Sequence, residues 1–204
     1  MDVTINYQSS IKIKSDKTIY FDPFKIKENT NDADYIFITH SHYDHLEKES
    51  INKIINENTI IIIPESIKEE LKEYQNIIEV SPNQEYEIEG LKFSTIPSYN
   101  TNKQFHPRSN NWVGYIVNIE NEKVLVSGDT DITDELLNIK CDIAFVPIGG
   151  TYTMTPEEGA ELINKIKPKK VIPTHYGCIV GNKKDGNIFK DLLDDGIECE
   201  LLLK

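Results

Sequence analysis

The run Asp34 to Thr39, DYIFIT, is almost continuously apolar and passes straight into His40–His45, HSHYDH. A short apolar run of this kind is a strand buried on both faces, so the fold must cover it from two sides and release a polar loop at its C-terminal end. The chain has the material for that cover. Of its 204 residues, 31 are isoleucine, whose branched Cβ is stiff and packs well on pleated sheets. A length of 204 residues fits one domain, residues 1–204, with a core large enough to fold alone.

Patterning elsewhere alternates between sheet and helix. Val3 to Phe21 carries short alternating runs (VTINY, SIKIK, TIYF) broken by QSS and SDK, which predicts antiparallel hairpins. After the buried strand come a helix over Glu47–Glu57, a strand over Thr59–Ile63, a helix from Pro64 or Glu65, and a strand over Ile77–Val80. A second strand-rich stretch covers Glu85–Glu89, Leu91–Ile96, Trp112–Ile119 and Lys123–Ser127, interrupted by a long polar loop from Pro97 to Asn111. Loops of that length in a small domain are usually functional or mobile. A short helix over Asp134–Ile139 and a strand over Asp142–Pro147 follow, then a helix opened by Thr155, Pro156 and Glu158 as a capping box and closed by Lys167 and Pro168. Val171–Pro173 reads as a strand, Asp185–Asp194 as a helix and Glu198–Leu203 as a final strand.

Charge and cysteine usage remove several function classes. The net charge is -12, with 22 Lys plus Arg against 34 Asp plus Glu, so no basic footprint for a phosphate backbone exists and nucleic acid is not expected as a partner. Met1 to Phe21 has polar residues at every second or third place, which excludes a signal h-region, and no stretch is long and apolar enough to span a membrane. Cys141, Cys178 and Cys199 are odd in number, far apart and without a CxxC, arguing against a disulfide framework or a thiolate zinc site. A cytoplasmic protein with a small-molecule substrate is the expectation; oligomeric state is left open.

Five histidines occur in the whole chain, and His40, His42 and His45 fall within six residues. In extended backbone, residues two apart point the same way, so His40 and His42 can face one cation. If the chain turns after Tyr43, Asp44 and His45 face a second cation across the same pocket. Imidazole and carboxylate suit zinc, and manganese or iron also accept them. The plain alternative is a hydrophilic turn rich in histidine by chance.

With these residues the chain resembles the metallo-β-lactamase superfamily, whose first metal motif is HxHxDH after a buried strand. Ser127-Gly128-Asp129-Thr130 after one predicted strand and Thr174-His175-Tyr176-Gly177 after another match its later motifs in the required order. Together with Ile148–Leu162, IGGTYTMTPEEGAEL, they make the chain most similar to the small, stand-alone metal-dependent hydrolase branch. The resemblance implies an α/β fold, a four-layer αββα sandwich with two mixed β-sheets. It also implies two divalent metal ions, Zn2+ first and Mn2+ or Fe2+ as alternatives. Asp129 would bridge the ions, which makes sense because a shared anion relieves the repulsion of two dications. His175 would complete the second site, and Asp44 would also orient the attacking water and handle its proton. A third histidine is expected for the first site; His106 is available, with Asn100 or a water as the alternative. Read without this context, Asp129 is an ordinary Gly-Asp turn residue and His175 an ordinary core histidine.

Arg108, the single arginine, suits bidentate capture of a carboxylate or phosphate and is a candidate substrate anchor; the alternative is a staple from its loop to an acidic neighbour. Tyr43, Tyr152 and Tyr176 flank motif positions and could line the pocket or hydrogen-bond a developing oxyanion, with packing the commoner role of such tyrosines; Tyr152 is the second candidate substrate residue. Neither a GxSxG elbow nor a phosphate-cradling glycine motif is present around Gly149-Gly150. Activated water is therefore the expected nucleophile, and the expected reaction is hydrolysis of an ester, lactone, phosphodiester or related bond. A reading from another class stays beside it: a non-catalytic metal-binding sensor or assembly protein, supported by the unusual spacing to the third histidine.

Overall fold

Alternate residues of the central strands face two different apolar layers, and that alternation builds the architecture. In the computed structural model, which describes residues 1–203, the first sheet holds β1 (Asp2–Ile5), β2 (Ile11–Lys14), β3 (Thr18–Phe21), β4 (Tyr35–Phe37), β5 (Ile60–Pro64) and β6 (Ile77–Val80), in that order. β1 to β3 pair antiparallel and β3 to β6 parallel. The second sheet runs β7 (Glu85–Ile88), β8 (Leu91–Pro97), β9 (Val113–Ile119), β10 (Glu122–Val126), β11 (Ile143–Pro147), β12 (Lys170–Thr174) and β13 (Glu198–Cys199). Here β7 to β10 are antiparallel and β10 to β13 parallel, so both sheets are mixed.

The inner faces meet in one core. Ile19, Phe21, Tyr35, Phe37 and Ile62 from the first sheet pack on Phe93, Tyr115, Val117, Val126 and Phe145 from the second. Their sequence neighbours point outward: Ile36, Ile38, Ile61 and Ile63 pack under α1 (Lys48–Ile54) through Ile51 and Ile54. Leu125, Ala144 and Val146 pack under α3 (Pro156–Ile166), α4 (Asp185–Asp191) and the short α2 (Asp134–Leu137). Three apolar layers thus separate helix, sheet, sheet and helix, the four-layer sandwich the resemblance implied. The isoleucine excess supplies both faces of the buried strands, as a doubly covered sheet requires.

Two expected elements are shorter or tighter than the patterning suggested. The segment after β5 is a 3-10 helix over Glu65–Glu70 in which only Ile67 is buried, too little apolar surface to support a full α-helix. The final strand pairs β12 only at Glu198 and Cys199. The capping box is formed as expected: Glu158 N donates to Thr155 Oγ1 at 3.2 Å and Thr155 N to the Glu158 carboxylate at 2.8 Å. Lys167, at φ 49, ends that helix in left-handed backbone.

Candidate metal centre

Six of the seven predicted ligands follow strand ends on one edge of the sandwich, where open sheets offer unpaired backbone and space for ligands. His40, His42, Asp44 and His45 follow β4, Asp129 follows β10, and His175 follows β12. His106 arrives from the loop after β8 and is buried rather than free in solvent. Two close approaches hold these loops together. Gly128, at φ 66, presses the Asp129 turn on Ser98 and Thr39, where a Cβ would lie 2.9 Å from Ser98 Oγ. Gly149 lies against the His175 carbonyl, which an added Cβ would meet at 2.2 Å. No side chain larger than hydrogen fits at Gly149 without displacing His175.

The seven predicted ligands come together as overlapping groups. His40, His42 and His106 form one trio, Asp44, His45 and His175 another, and Asp129 groups with His40 and His45 between them; within each group the ligand atoms lie within 4.8 Å of one another. In the first trio His40 Nε2 faces His42 Nδ1 at 3.1 Å. In the second, His175 Nε2 lies 3.4 Å and His45 Nε2 3.8 Å from Asp44 Oδ2. The Asp129 carboxylate touches both halves, with Oδ2 3.4 Å from His106 Nε2 and 3.0 Å from His175 Nε2, and Oδ1 3.4 Å from His45 Nε2.

Apart from the His40–His42 pair, these contacts lack hydrogen-bond geometry: His45 Nε2, His106 Nε2, His175 Nε2 and Asp129 Oδ1 are buried atoms with no hydrogen-bond partner. Orphaned buried polar atoms each cost about 1–3 kcal/mol, and so many aimed at one point are unexplained by packing. Divalent cations resolve them, since each orphan is a nitrogen or oxygen donor of the kind zinc, manganese and iron bind. The residues present fit a metal centre.

Behind the ligands stands a layer the sequence reading did not assign. Thr39 Oγ1 meets His40 Nδ1 at 2.9 Å and donates to Asp22 Oδ2 at 2.7 Å. The same Asp22 oxygen holds His45 Nδ1 at 2.7 Å, and Asp22 Oδ1 accepts from Thr39 N at 2.8 Å. Such partners fix the ring tautomer and direction of a ligating histidine. The signal for Asp22 was its place directly after the strand TIYF, which β3 carries to the same edge. Asn100, the alternative ligand, sits behind His106 instead: its Oδ1 accepts from His106 N at 3.0 Å and lies 3.0 Å from His106 Nδ1.

Electrostatics divide the two halves. Burial, then the neighbouring His45, hold His40 well below the usual imidazole range, and burial with His106 lowers His42. Burial is the largest single influence against a charge on His45 and His175, but Asp129 together with Asp22 at His45 and with Asp44 at His175 outweighs it. His45 is raised well above the ordinary range and His175 to about 9. Asp129 shows the converse: burial favours its neutral form, yet His175 and His45 hold it well below the usual carboxylate range.

The two candidate substrate residues occupy the flank. Arg108 Nη2 pairs with Glu135 Oε1 at 2.6 Å, its guanidinium lies 4.8 Å from the Tyr99 ring centre, and 64% of its side chain is exposed. That contact is the kind expected of an acidic staple. Tyr152 accepts from Asn100 Nδ2 at 2.9 Å through its carbonyl and meets Phe105 edge-on at 4.6 Å. A separate cleft of about 630 Å3 over β7 to β10, lined by Glu87, Lys92, Lys123 and Lys140 among others, includes none of the orphaned atoms.

Sheets, outer helices and a paired His/Asp centre on one strand edge define a metallo-hydrolase fold. Residues 4–175 match the model of the beta-lactamase superfamily domain. The chain is also 30% identical to a UPF0173 metal-dependent hydrolase of Thermococcus onnurineus, over 95% of this chain and 92% of that one. It therefore belongs to the metallo-β-lactamase superfamily, in the UPF0173 family of metal-dependent hydrolases. Among solved structures, a putative metal-dependent hydrolase from Parabacteroides distasonis superposes with a TM-score of 0.85 at 28% identity, covering 99% of this chain and 93% of that chain. Igni18, a metallo hydrolase from Ignicoccus hospitalis, shares the fold at 22% identity, with a TM-score of 0.81 and coverage of 98% and 94%.

Proposed function

We propose that the chain hydrolyses an ester, lactone, phosphodiester or related bond in a small soluble molecule, using two divalent metal ions, zinc first. The observation that supports this reading most is the Asp129 carboxylate, shared between two ligand trios in which His106 Nε2, His45 Nε2 and His175 Nε2 are buried without a hydrogen-bond partner. His40, His42 and His106 would hold one ion and Asp44, His45 and His175 the other. When bound, two such ions supply Lewis acidity and bring the pKa of water toward neutrality.

The chain's own residues do the rest. Asp44, lowered in pKa by His175 and His45 despite its burial, stays a carboxylate that can orient a water and accept its proton. His40 and His45 keep their directions through Thr39 and Asp22, so the site needs little rearrangement on binding. Tyr43, Phe105 and Ile179 are exposed on the loops that carry ligands, which favours a substrate with an apolar portion. The net charge of -12 disfavours polyanions. Free Cys141, Cys178 and Cys199 suit a reducing cytoplasm, and no helix among the described residues is long and apolar enough to cross a membrane.

The test is bound-metal analysis followed by screening of aryl esters, lactones and bis-phosphodiesters with a chelator control. Asp44→Asn should lower turnover by about 10²- to 10⁴-fold with little change in melting temperature. Unchanged turnover would remove Asp44 from the chemistry. Stoichiometric metal without chelator-sensitive hydrolysis of any substrate would replace the hydrolase by a metal-binding sensor or assembly protein.

A further inference from the structure

The turn joining β1 to β2 takes no part in the reading above, yet it reaches the second half of the centre. Gln8 in this turn is fully buried, an unusual place for a glutamine. Its Nε2 donates to Asp44 Oδ2 at 3.3 Å, and its Oε1 accepts from Ile179 N at 3.5 Å. Its main-chain carbonyl accepts the His175 amide at 3.2 Å. Gln8 and His175 both have left-handed backbone, at φ 55 and φ 57. That conformation is strained for residues with a Cβ and persists only where the surroundings impose it.

Three of the ligand histidines are aimed through the ring: His40 by Thr39, His45 by Asp22 and His106 by Asn100. His175 differs, because its Nδ1 is buried without a partner. Its ring is placed by its main chain, and the main chain is tied to Gln8. Asp44 depends on the same residue, since among the described residues no other hydrogen bond to its carboxylate is formed outside the histidines of the centre. An amide is the suitable group there: its N–H complements a carboxylate oxygen, whereas a carboxylate would repel it.

We propose that Gln8 is the positioning residue of the second metal half, its side chain fixing Asp44 and its carbonyl fixing His175, so that affinity for the second ion is set from the amino-terminal hairpin. This rests on the dinuclear reading. Two variants separate the side-chain role from folding. Gln8→Asn keeps a residue that tolerates left-handed backbone but withdraws the amide from reach. Gln8→Glu keeps the shape and turns the donor into a like charge.

The experiment titrates metal-free protein with Co2+, read by its visible absorption, and with Zn2+ by calorimetry; folding of each variant is checked by circular dichroism. His106→Ala, run alongside, identifies the step that belongs to the first half. Wild type should show two steps. In both Gln8 variants the second-half step should weaken by about 10- to 100-fold, as loss of an outer partner of a ligand does, with Glu the more severe and the first-half step within threefold of wild type. Two steps at wild-type affinity in either folded variant, or both steps weakened equally, would overturn the role of Gln8 and leave the dinuclear reading standing. A single equivalent bound by wild type would overturn both.

Discussion

His40 and His42 are kept below the ordinary imidazole range by burial, with His45 adding to it at His40 and His106 at His42, while His45 and His175, built on the same edge from the same residue type, are kept above it by Asp129, Asp22 and Asp44. The first half is an all-histidine trio; the second mixes two histidines with a carboxylate. Where the acidic groups lie therefore decides which imidazoles carry protons before metal arrives, and the difference lies in second-layer and bridging carboxylates rather than in the ligands' burial. Ligands that are already neutral can accept a cation at once. Protonated ones must first release a proton, so uptake at the second half is linked to pH.

Asp129 joins the halves, and its removal should have the largest effect. Asp129→Ala deletes the carboxylate shared by the two candidate ligand groups and removes the main influence that holds His45 and His175 above the ordinary imidazole range against their burial. Loss of an outer partner costs about 10- to 100-fold in metal affinity, so loss of this shared carboxylate should weaken both binding steps by more than about 100-fold. Calorimetric titration checks it; one step left at wild-type strength would show that Asp129 serves a single half.

The opposed protonation states also predict a stability profile for metal-free protein. A histidine raised from 6.5 to about 9, as His175 is, stabilises the fold fully below pH 6.5 and loses that contribution as pH climbs through about 9. The shift corresponds to about 3 kcal/mol. His40 and His42 act in the other direction: lowered groups stabilise above the ordinary value of 6.5 and lose that contribution as pH falls below it. Asp44 and Asp129, both lowered, add losses on the acid side below their ordinary value of 3.8. Urea unfolding of chelator-treated protein should therefore show stability falling from pH 6.5 to pH 9, and metal-loaded protein should show a smaller fall. Stability that rises over that interval without metal would contradict the assignment of the proton to His175.

Asn100 is to the first half what Gln8 is to the second, and the pair allows the halves to be perturbed singly. Asn100→Ala removes the acceptor that holds both the His106 ring and its main-chain amide. The first-half step should weaken by about 10- to 100-fold and the second-half step should stay within threefold. Equal weakening of both would show that the halves form one cooperative unit.

Much of this centre was legible because its ligands are scarce residues in local motifs. HSHYDH states three histidines and an aspartate directly, and the runs ahead of Asp129 and His175 identify the strand ends that deliver them. The strands were legible for a related reason: isoleucine-rich alternation records which face each residue presents, as Ile61 and Ile62 do on opposite sides of β5. The second layer was not legible. Asp22 lies 23 residues from His45, and Gln8 lies 36 from Asp44; both are common residue types whose significance comes from β-strand register, such as Ile11 opposite Phe21. His106 falls between these cases. Its type was informative, but six residues separate it from Asn100, and only the folded loop shows that one supports the other.

Arg108 offers the smallest effect and a direct choice between two roles. Its guanidinium is paired with Glu135 and stacked on Tyr99, with 64% of the side chain exposed. An exposed pair of this kind contributes about 0–1 kcal/mol, which in a domain of this size moves the melting temperature by no more than about 4 °C. If Arg108 is a staple, Arg108→Ala should produce that small shift, leave both metal-binding steps unchanged and leave KM for anionic and neutral esters in the same ratio. An anchor behaves differently, because losing a bidentate contact to an anion raises KM selectively for anionic substrates. Glu135→Gln sharpens the comparison by releasing the guanidinium without removing it. A tenfold rise in KM for an anionic ester in Arg108→Ala, with the neutral ester unaffected and a fall in KM in Glu135→Gln, would make Arg108 the substrate anchor and extend the first half of the centre out to this loop.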